Sequence, residues 1–455
     1  MAAQNGCLSF LVDHRAVSMY SLPCISHEFF QSFLMLEKTD MHLSLSHLKT
    51  RFKITFAALR YRNYRAYLIG FVISVTGMWV QRTTAGFLIY DLTGSATYLG
   101  FFGFAQGFAF ILLALLSGVI ADRVPRRKML IITQFGMLIQ AVILSALTFS
   151  SLIQAWHVIV LTFFLGIVQA LDSPNRLSFI SEMVEPKDLS NAIPVHSMIV
   201  NFALIIGPII AGLMYYLVGP GWLFLFNALT FLAFIIPLMR MRTSHETDYL
   251  NRPHTAAWSE LKNGIKYAFS NHIIRLLLLS LFLYNIFGLS VRNLSPAWAT
   301  NVLQGDAATN GWLVSAVGLG AVLGTYTMAS LSYKRIRGKI RGIGGFLFAF
   351  SLIMLALLRF EWVSLLMFMI SGSASLMISN NTLGIIQTRV SDEMRGRVTG
   401  IFSTMFMGGS TIGSLLVGYL ADQAGEQMAV LLFGLVLLGL SLYLWFRRKE
   451  LRSLA

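Results

Sequence analysis

Residues 191–239, NAIPVHSMIVNFALIIGPIIAGLMYYLVGPGWLFLFNALTFLAFIIPLM, contain no Asp, Glu, Lys or Arg. A helix crossing a bilayer's hydrocarbon core needs about 20 apolar residues, so this stretch is long enough for two crossings. Residues 129–171 are equally free of charge and also hold two. Single runs follow at 92–121, 276–291, 307–333, 342–358, 362–388, 398–421 and 427–446, and 66–90 is broken only by Arg82. The sum is an all-α membrane protein of twelve transmembrane helices with almost no soluble domain. Composition agrees: 56% of residues are hydrophobic and 12% charged, and the mean hydropathy is +0.68. Soluble chains carry about a quarter charged residues.

The basic residues set the expected topology. Arg123, Arg126, Arg127 and Lys128 fall between spans 2 and 3, and Arg176 and Lys187 between spans 4 and 5. Arg240, Arg242, Arg252, Lys262, Lys266 and Arg275 follow span 6. Lys334, Arg335, Arg337, Lys339 and Arg341 follow span 8, and Arg389, Arg395 and Arg397 follow span 10. Only Arg82, Arg292 and Arg359 of 35 Lys and Arg lie in spans or on the opposite side. Cationic loops stay on the cytoplasmic side, which puts both termini there. The net charge of +15 is therefore a topology signal, and no nucleic-acid partner is expected. Cys7 and Cys24 are the only cysteines, so no disulfide framework or Cys metal site is expected in the membrane body.

The loop pattern divides the chain into a six-helix bundle over 51–240, a cytoplasmic central loop over 241–272, a second bundle over 273–446 and a tail over 447–455. A shift that places Gly212 on Gly418 relates the two halves, and such repeats put the substrate path at their interface near the midplane. Residues 1–50 have no signal-peptide core after a basic start. They read either as a disordered extension or as an over-extended start, with Met35 or Met41 as the first residue.

Gly118-Val-Ile-Ala-Asp122-Arg123-Val-Pro125-Arg126-Arg127-Lys128 closes span 2 with an ordered acid and a basic turn. Its glycine permits close helix approach. Its aspartate can pair where helix ends and arginines gather, and so latch one conformation. This stretch resembles the loop 2–3 signature of the major facilitator superfamily, with Pro125 where the family has glycine. Ala203-x-x-x-Gly207-Pro208-Ile-Ile-Ala211-Gly212 resembles that superfamily's span-5 antiporter motif, with alanine at two glycine positions. Asp172-Ser-Pro174-Asn-Arg176, Asn63-Tyr64-Arg65-x-Tyr67, Trp79-x-Gln81-Arg82 and Gln387-Thr-Arg389-Val-Ser-Asp392-Glu393-Met-Arg395-Gly396-Arg397 resemble the enterobactin-exporter-like branch, the transmembrane secretion effectors. The resemblance covers about 55–446 and implies two six-helix bundles in a bacterial inner membrane. It also implies export of siderophores, macrolides or similar amphipathic molecules, driven by proton exchange.

Ionisable residues inside a membrane are functional candidates by default. Arg82 in span 1 and Arg292 in span 7 occupy equivalent spans of the two halves, and with Gln81 they are the substrate-binding candidates, suited to a catecholate or carboxylate. For each arginine the structural alternative is snorkelling or an ion pair. Asp172 is the proton-coupling candidate, with duty at the gate as the alternative. Gly118, Asp122, Arg123, Arg126 and Arg127 are expected to form the inner gate, with Arg176, Arg395 and Arg397 in a cytoplasmic charge network. Gly207, Pro208 and Gly212 set span-5 packing. His157 and His196 read as structural.

No GxxxxGK[ST] loop appears, so ATP is not the direct energy source. No HExxH or GxSxG stretch appears either, so no enzyme, cofactor or metal is expected. The expected protein is a monomeric secondary active exporter whose partners are a small-molecule substrate, protons and the lipid bilayer. Multidrug or macrolide efflux and an uptake carrier are alternatives of the same class. A non-transporting receptor or scaffold is the alternative of another class.

Overall fold

A computed structural model of the protein describes residues 57–121, 124–241, 257–331, 336–452 and 454. The extension over 1–50 lies outside the described residues. Six helices precede the central connection: α1 (Arg62–Thr93), α2 (Ala96–Ala121), α3 (Arg126–Phe149), α4 (Ala155–Met183), α5 (Leu189–Val218) and α6 (Pro220–Arg240). An amphipathic helix, α7 (Ala257–Ser270), follows. Then come α8 (His272–Phe287), α9 (Ala307–Leu331), α10 (Arg337–Leu357), α11 (Glu361–Arg389), α12 (Asp392–Ala424) and α13 (Glu426–Arg447).

Among the described residues, eleven segments are long and apolar enough to cross a membrane. The twelfth, α1, is not among them because Thr76-Gly-Met-Trp-Val-Gln-Arg-Thr-Thr84 lowers its hydropathy. These polar residues face inward. Gln81, Thr83 and Thr84 are buried, while Ile69, Trp156, Phe202, Tyr216, Trp222 and Trp362 stand on the outside. Apolar side chains so widely exposed need a lipid covering.

The helices form the two six-helix bundles of the major facilitator fold. In the first, α1 packs on α5 and α6, α3 on α6, and α2 on α4; in the second, α9 and α10 pack on α11, α10 on α13, and α8 on α12. The bundles meet along two seams, α2 with α12 and α5 with α9. We call the side holding the 2–3 and 4–5 junctions the basic end, and the other the far end. The turns after α5 and α12 lie at the far end and are built alike: Gly219 has φ 86°, ψ 156° and Gly425 has φ 85°, ψ 153°. Only glycine enters that region without strain, and the match places the halves in the register that the sequence shift suggested.

Close helix contacts rest on glycine. A Cβ at Gly413 would stand 2.1 Å from the Ile286 carbonyl oxygen of α8, and one at Gly418 would stand 2.5 Å from that of Ala96 in α2. The described approaches between bundles run along the far-end and middle parts of the seams, through Gly100, Gly103, Gly107, Gly212, Gly311, Gly318 and Gly418. Beside Gly396 and Gly400, on the basic-end stretch of α12, a Cβ would meet nothing within 4 Å. The central space is thus sealed at its far side.

Overpacking a rigid contact typically costs about 1–3 kcal/mol. Gly413→Ala should destabilise the purified protein by that order in a detergent unfolding assay. Gly439→Ala, where the added Cβ meets nothing within 4 Å, should leave stability unchanged or slightly raised.

Candidate functional site: a cavity between the bundles with two arginines

Span 7 is not one continuous helix. α8 stops at Phe287, Gly288 departs from helical geometry with φ −115° and ψ −68°, and a tight 3-10 turn, Leu289–Leu294, follows. Broken helices at the midplane are a recurrent way to build transporter sites. The turn carries Arg292 to the wall of a cavity of about 240 Å³, which Arg82 of α1 also lines. Phe348, Leu352, Phe368 and Phe406 give the cavity an apolar wall, while Asn201, Ser371 and Ser410 supply polar groups. A second space of about 40 Å³, on which Trp79, Asn293 and Asn310 open, lies against the same two arginines.

Neither guanidinium has a carboxylate within ion-pair distance among the described residues. Arg82 rests 5.3 Å from the Trp79 ring centroid, a cation–π contact. Trp79 Nε1 is buried with no partner, and so is Asn310 Oδ1. Two cations and an unused N–H donor line the smaller space, and their charge and donors suit an anion. An exposed cation in hydrocarbon costs about 2.5–3.5 kcal/mol or more, so this polar space is also where the arginines are tolerated.

Gln81, expected beside Arg82, turns into the first bundle instead. Its Nε2 donates to Gln140 Oε1 at 2.8 Å, and its Oε1 accepts from Asn227 Nδ2 at 2.8 Å. It is a buried tie between α1, α3 and α6, away from the cavity lining.

The second polar centre is inside the first bundle. Asp172 is 4% exposed. It accepts from Thr133 Oγ1 at 2.7 Å and from Gln134 Nε2 at 3.0 Å, and pairs with Arg176 one turn on. The Arg176 guanidinium is stacked against Phe71 and Phe234, at 4.9 and 5.2 Å from their centroids. His196 stacks on the same Phe71 at 4.2 Å. His196 Nδ1 is buried with no hydrogen-bond partner among the described residues. Arg176, counted from sequence with the 4–5 junction, is thus an interior residue of α4.

The family model described as transmembrane secretion effector matches residues 53–454. The chain belongs to the transmembrane secretion effector family. It is 24% identical over 383 residues to the Staphyloferrin A transporter of Staphylococcus aureus (strain NCTC 8325 / PS 47), covering 83% of this chain and 94% of that protein. It is 25% identical over 423 residues to the enterobactin exporter EntS of Escherichia coli O1:K1 / APEC, covering 89% and 95%. Among solved structures it resembles the nucleoside transporter NupG, with TM-score 0.70, 14% identity and coverage of 85% and 99%. It also resembles the D-xylose-proton symporter, with TM-score 0.65, 16% identity and coverage of 83% and 97%. At those identities the structural likeness speaks for the fold alone. This transmembrane secretion effector is a membrane transporter and not an enzyme.

The remaining sequence candidates of this secretion effector are spread over several contacts. The side chains of Asp122 and Arg123 and the packing of Gly118 lie outside the described residues. Arg126 pairs with Glu182 at 3.1 Å and donates to the Ser178 carbonyl oxygen at 2.9 Å. Arg127 donates to the carbonyl oxygens of Leu238 and Met239, the open end of α6. Both therefore brace the first bundle. Arg395 pairs with Asp392 on its own helix at 2.5 Å, and the Arg397 Cβ approaches Gly264 of α7. In the span-5 motif, Gly207 abuts Trp79 of α1, while Pro208 and Gly212 face α9 across the seam.

Two features escaped the sequence reading. Arg341, assigned to the 8–9 junction, is 3% exposed in α10 and bonds to Thr382 Oγ1 at 2.8 Å and to Ser280 Oγ. Its hydroxyl partners carry no charge, so no sequence signal marked it. Asn293, beside Arg292, donates to Ser414 Oγ at 2.6 Å and ties the turn to α12.

Removing one member of a buried ion pair costs about 3–5 kcal/mol, whereas removing both costs less. Asp172→Ala should lower unfolding stability by that order in detergent. Asp172→Ala combined with Arg176→Leu should recover most of the loss.

Proposed function

We infer that the protein is a secondary active exporter of a small amphipathic anion of the siderophore class, acting as a monomer in a bacterial inner membrane. The observation that carries this reading is the pair of carboxylate-free arginines, one from each bundle, on a single cavity at the seam. Catecholate or carboxylate oxygens would satisfy both guanidinium groups and the Trp79 N–H. The wall of Phe348, Leu352, Phe368 and Phe406 would take the apolar part of the same molecule. That two relatives are named for siderophores supports the class, and that one of them is named an exporter supports the direction.

The basic end, with both chain termini, faces the cytoplasm in this reading. The far-side seal is then the closed outer mouth in this reading. Export against a gradient needs a coupled ion, and Asp172 is the proposed proton site. A proton on its carboxylate would cancel the charge that holds Arg176, loosening the α3–α4 contact from inside the bundle. Charge exchange at Asp172 and substrate exchange at the arginines then belong to separate places, linked by movement of the bundles. Gly118, Asp122 and Arg123 keep their proposed duty at the inner gate, with Arg126 and Arg127 as braces behind them. Arg395 and Arg397 remain the proposed network on the opposing bundle.

Charge-assisted hydrogen bonds are worth about 1.5–3 kcal/mol each. In proteoliposomes with an imposed pH gradient, Arg82→Gln and Arg292→Gln should each cut transport of enterobactin at least tenfold while sparing a cationic drug. Asp172→Asn should abolish the pH-gradient dependence of transport. Equal losses for anion and cation in the arginine variants would favour broad drug efflux. Accumulation in the opposite direction would favour an uptake carrier, and no transport of any tested compound would favour a receptor or scaffold.

A further inference from the structure

The octapeptide Leu115-Leu-Ser-Gly-Val-Ile-Ala-Asp122 at the end of α2 recurs as Leu415-Leu-Val-Gly-Tyr-Leu-Ala-Asp422 at the end of α12. Both leucines, the glycine, the alanine and the aspartate are shared. The two helices are the second of the first bundle and the fifth of the second. In a bundle of six built from two inverted three-helix units, the second and fifth helices are equivalents running in opposite directions. The copies therefore end at opposite faces of the protein, one at the basic end and one at the far end. The first copy is the proposed inner-gate motif; the second carries no role in the proposed function.

At the far end the second copy is engaged across the seam. Asp422 Oδ2 accepts from Ser95 Oγ at 2.5 Å and from the Thr97 N–H at 3.0 Å, and Oδ1 accepts from the Ala96 N–H at 2.7 Å. These are the opening groups of α2, in the other bundle. The first turn of a helix leaves its N–H groups without intrahelical partners and carries partial positive charge. Here a carboxylate from the opposite bundle takes them. One turn back, Gly418 lies against Ala96 and Gly100, with a Cβ position 2.5 Å from the Ala96 carbonyl oxygen and 3.0 Å from the Gly100 Cα. Another turn back, Gly103 of α2 lies against Asn293 and Ser414, which bond to each other within the second bundle just beyond Arg292.

We propose that Asp422 is the far-side latch of the transporter: it holds the outer mouth shut by capping α2 from α12, as the mirror counterpart of the Asp122 motif at the inner mouth. An aspartate at the C-terminus of its own helix is disfavoured by that helix's dipole. Its carboxylate gains only while α2 is in place, so the contact favours the closed mouth specifically. Release is cheap on the α2 side. Ser95 precedes the helix as a good N-capping residue, and its hydroxyl, freed from Asp422, can accept a first-turn N–H itself. The latch sits at the exposed rim, so water can replace Asp422's bonds when the mouth opens. The proposal is independent of substrate and coupling ion, and it holds for any alternating-access cycle of this fold.

The test is distance measurement by electron paramagnetic resonance in nanodiscs, on full-length protein with Cys7→Ser and Cys24→Ser. One spin pair, at Leu152→Cys and Trp362→Cys, spans the far end; another, at Lys128→Cys and Thr388→Cys, spans the basic end. Asp422→Asn should raise the ratio of open to closed far-end distances at least fivefold and shorten the basic-end distances. Ser95→Ala, which removes one of three donors, should shift both in the same direction by less, and it decides the matter if Asp422→Asn does not fold. Distributions unchanged from the parent in both pairs, or a far end that stays closed while the basic end alone changes, would overturn the latch.

Discussion

A charge inside a membrane must have a partner, and that constraint sorts the interior arginines of this protein. Arg176 has Asp172 and two aromatic faces. Arg341 has two hydroxyls and the nearby ring of Tyr284. Among the described residues, neither a carboxylate nor a hydroxyl bonds Arg82 or Arg292; they line a cavity. The first two are satisfied within one bundle and hold its helices together. The last two come from different bundles, and under the proposed function the substrate is their partner.

The bundles share a plan but not a charge distribution. In the first, the position facing α3 from α4 is Asp172, bonded by Thr133 and Gln134. In the second, α11 presents Thr382 to α10, and the cation is Arg341. An interior carboxylate–guanidinium pair of this kind is described only in the first bundle, and the second supplies the broken helix and the apolar wall. The packing seams have their own division. Glycines along α2, α5, α9 and α12 let backbones touch at the far end. Contacts of this kind have two discrete arrangements more readily than a graded one, because packed surfaces resist small deformation.

Much of this was legible in the chain. Helix number and the paired halves follow from charge-free runs of bilayer length, which depend on composition alone. The pairing of Arg82 with Arg292 follows from the repeat. What was not legible depends on rotation about a helix axis and on where a span ends. Gln81 and Arg82 are adjacent, yet one ties three helices together and the other lines the cavity. Asp172 and Arg176 follow the charge-free run 129–171 and so read as lying at its cytoplasmic end, but α4 runs through to Met183, burying Asp172 and covering most of Arg176. Arg341 read as one more loop cation because three residues separate it from Arg337. The cap by Asp422 joins residues more than three hundred positions apart, and only the folded seam shows it.

The central claim is that an anion belongs between Arg82 and Arg292. The most direct measurement is an electron cryo-microscopy structure of the protein in nanodiscs with enterobactin bound. The account predicts density bridging the two guanidinium groups, with the apolar body of the ligand against Phe348 and Phe368. Ligand density elsewhere, with Arg82 and Arg292 still facing an empty cavity or turned to lipid headgroups, would contradict it.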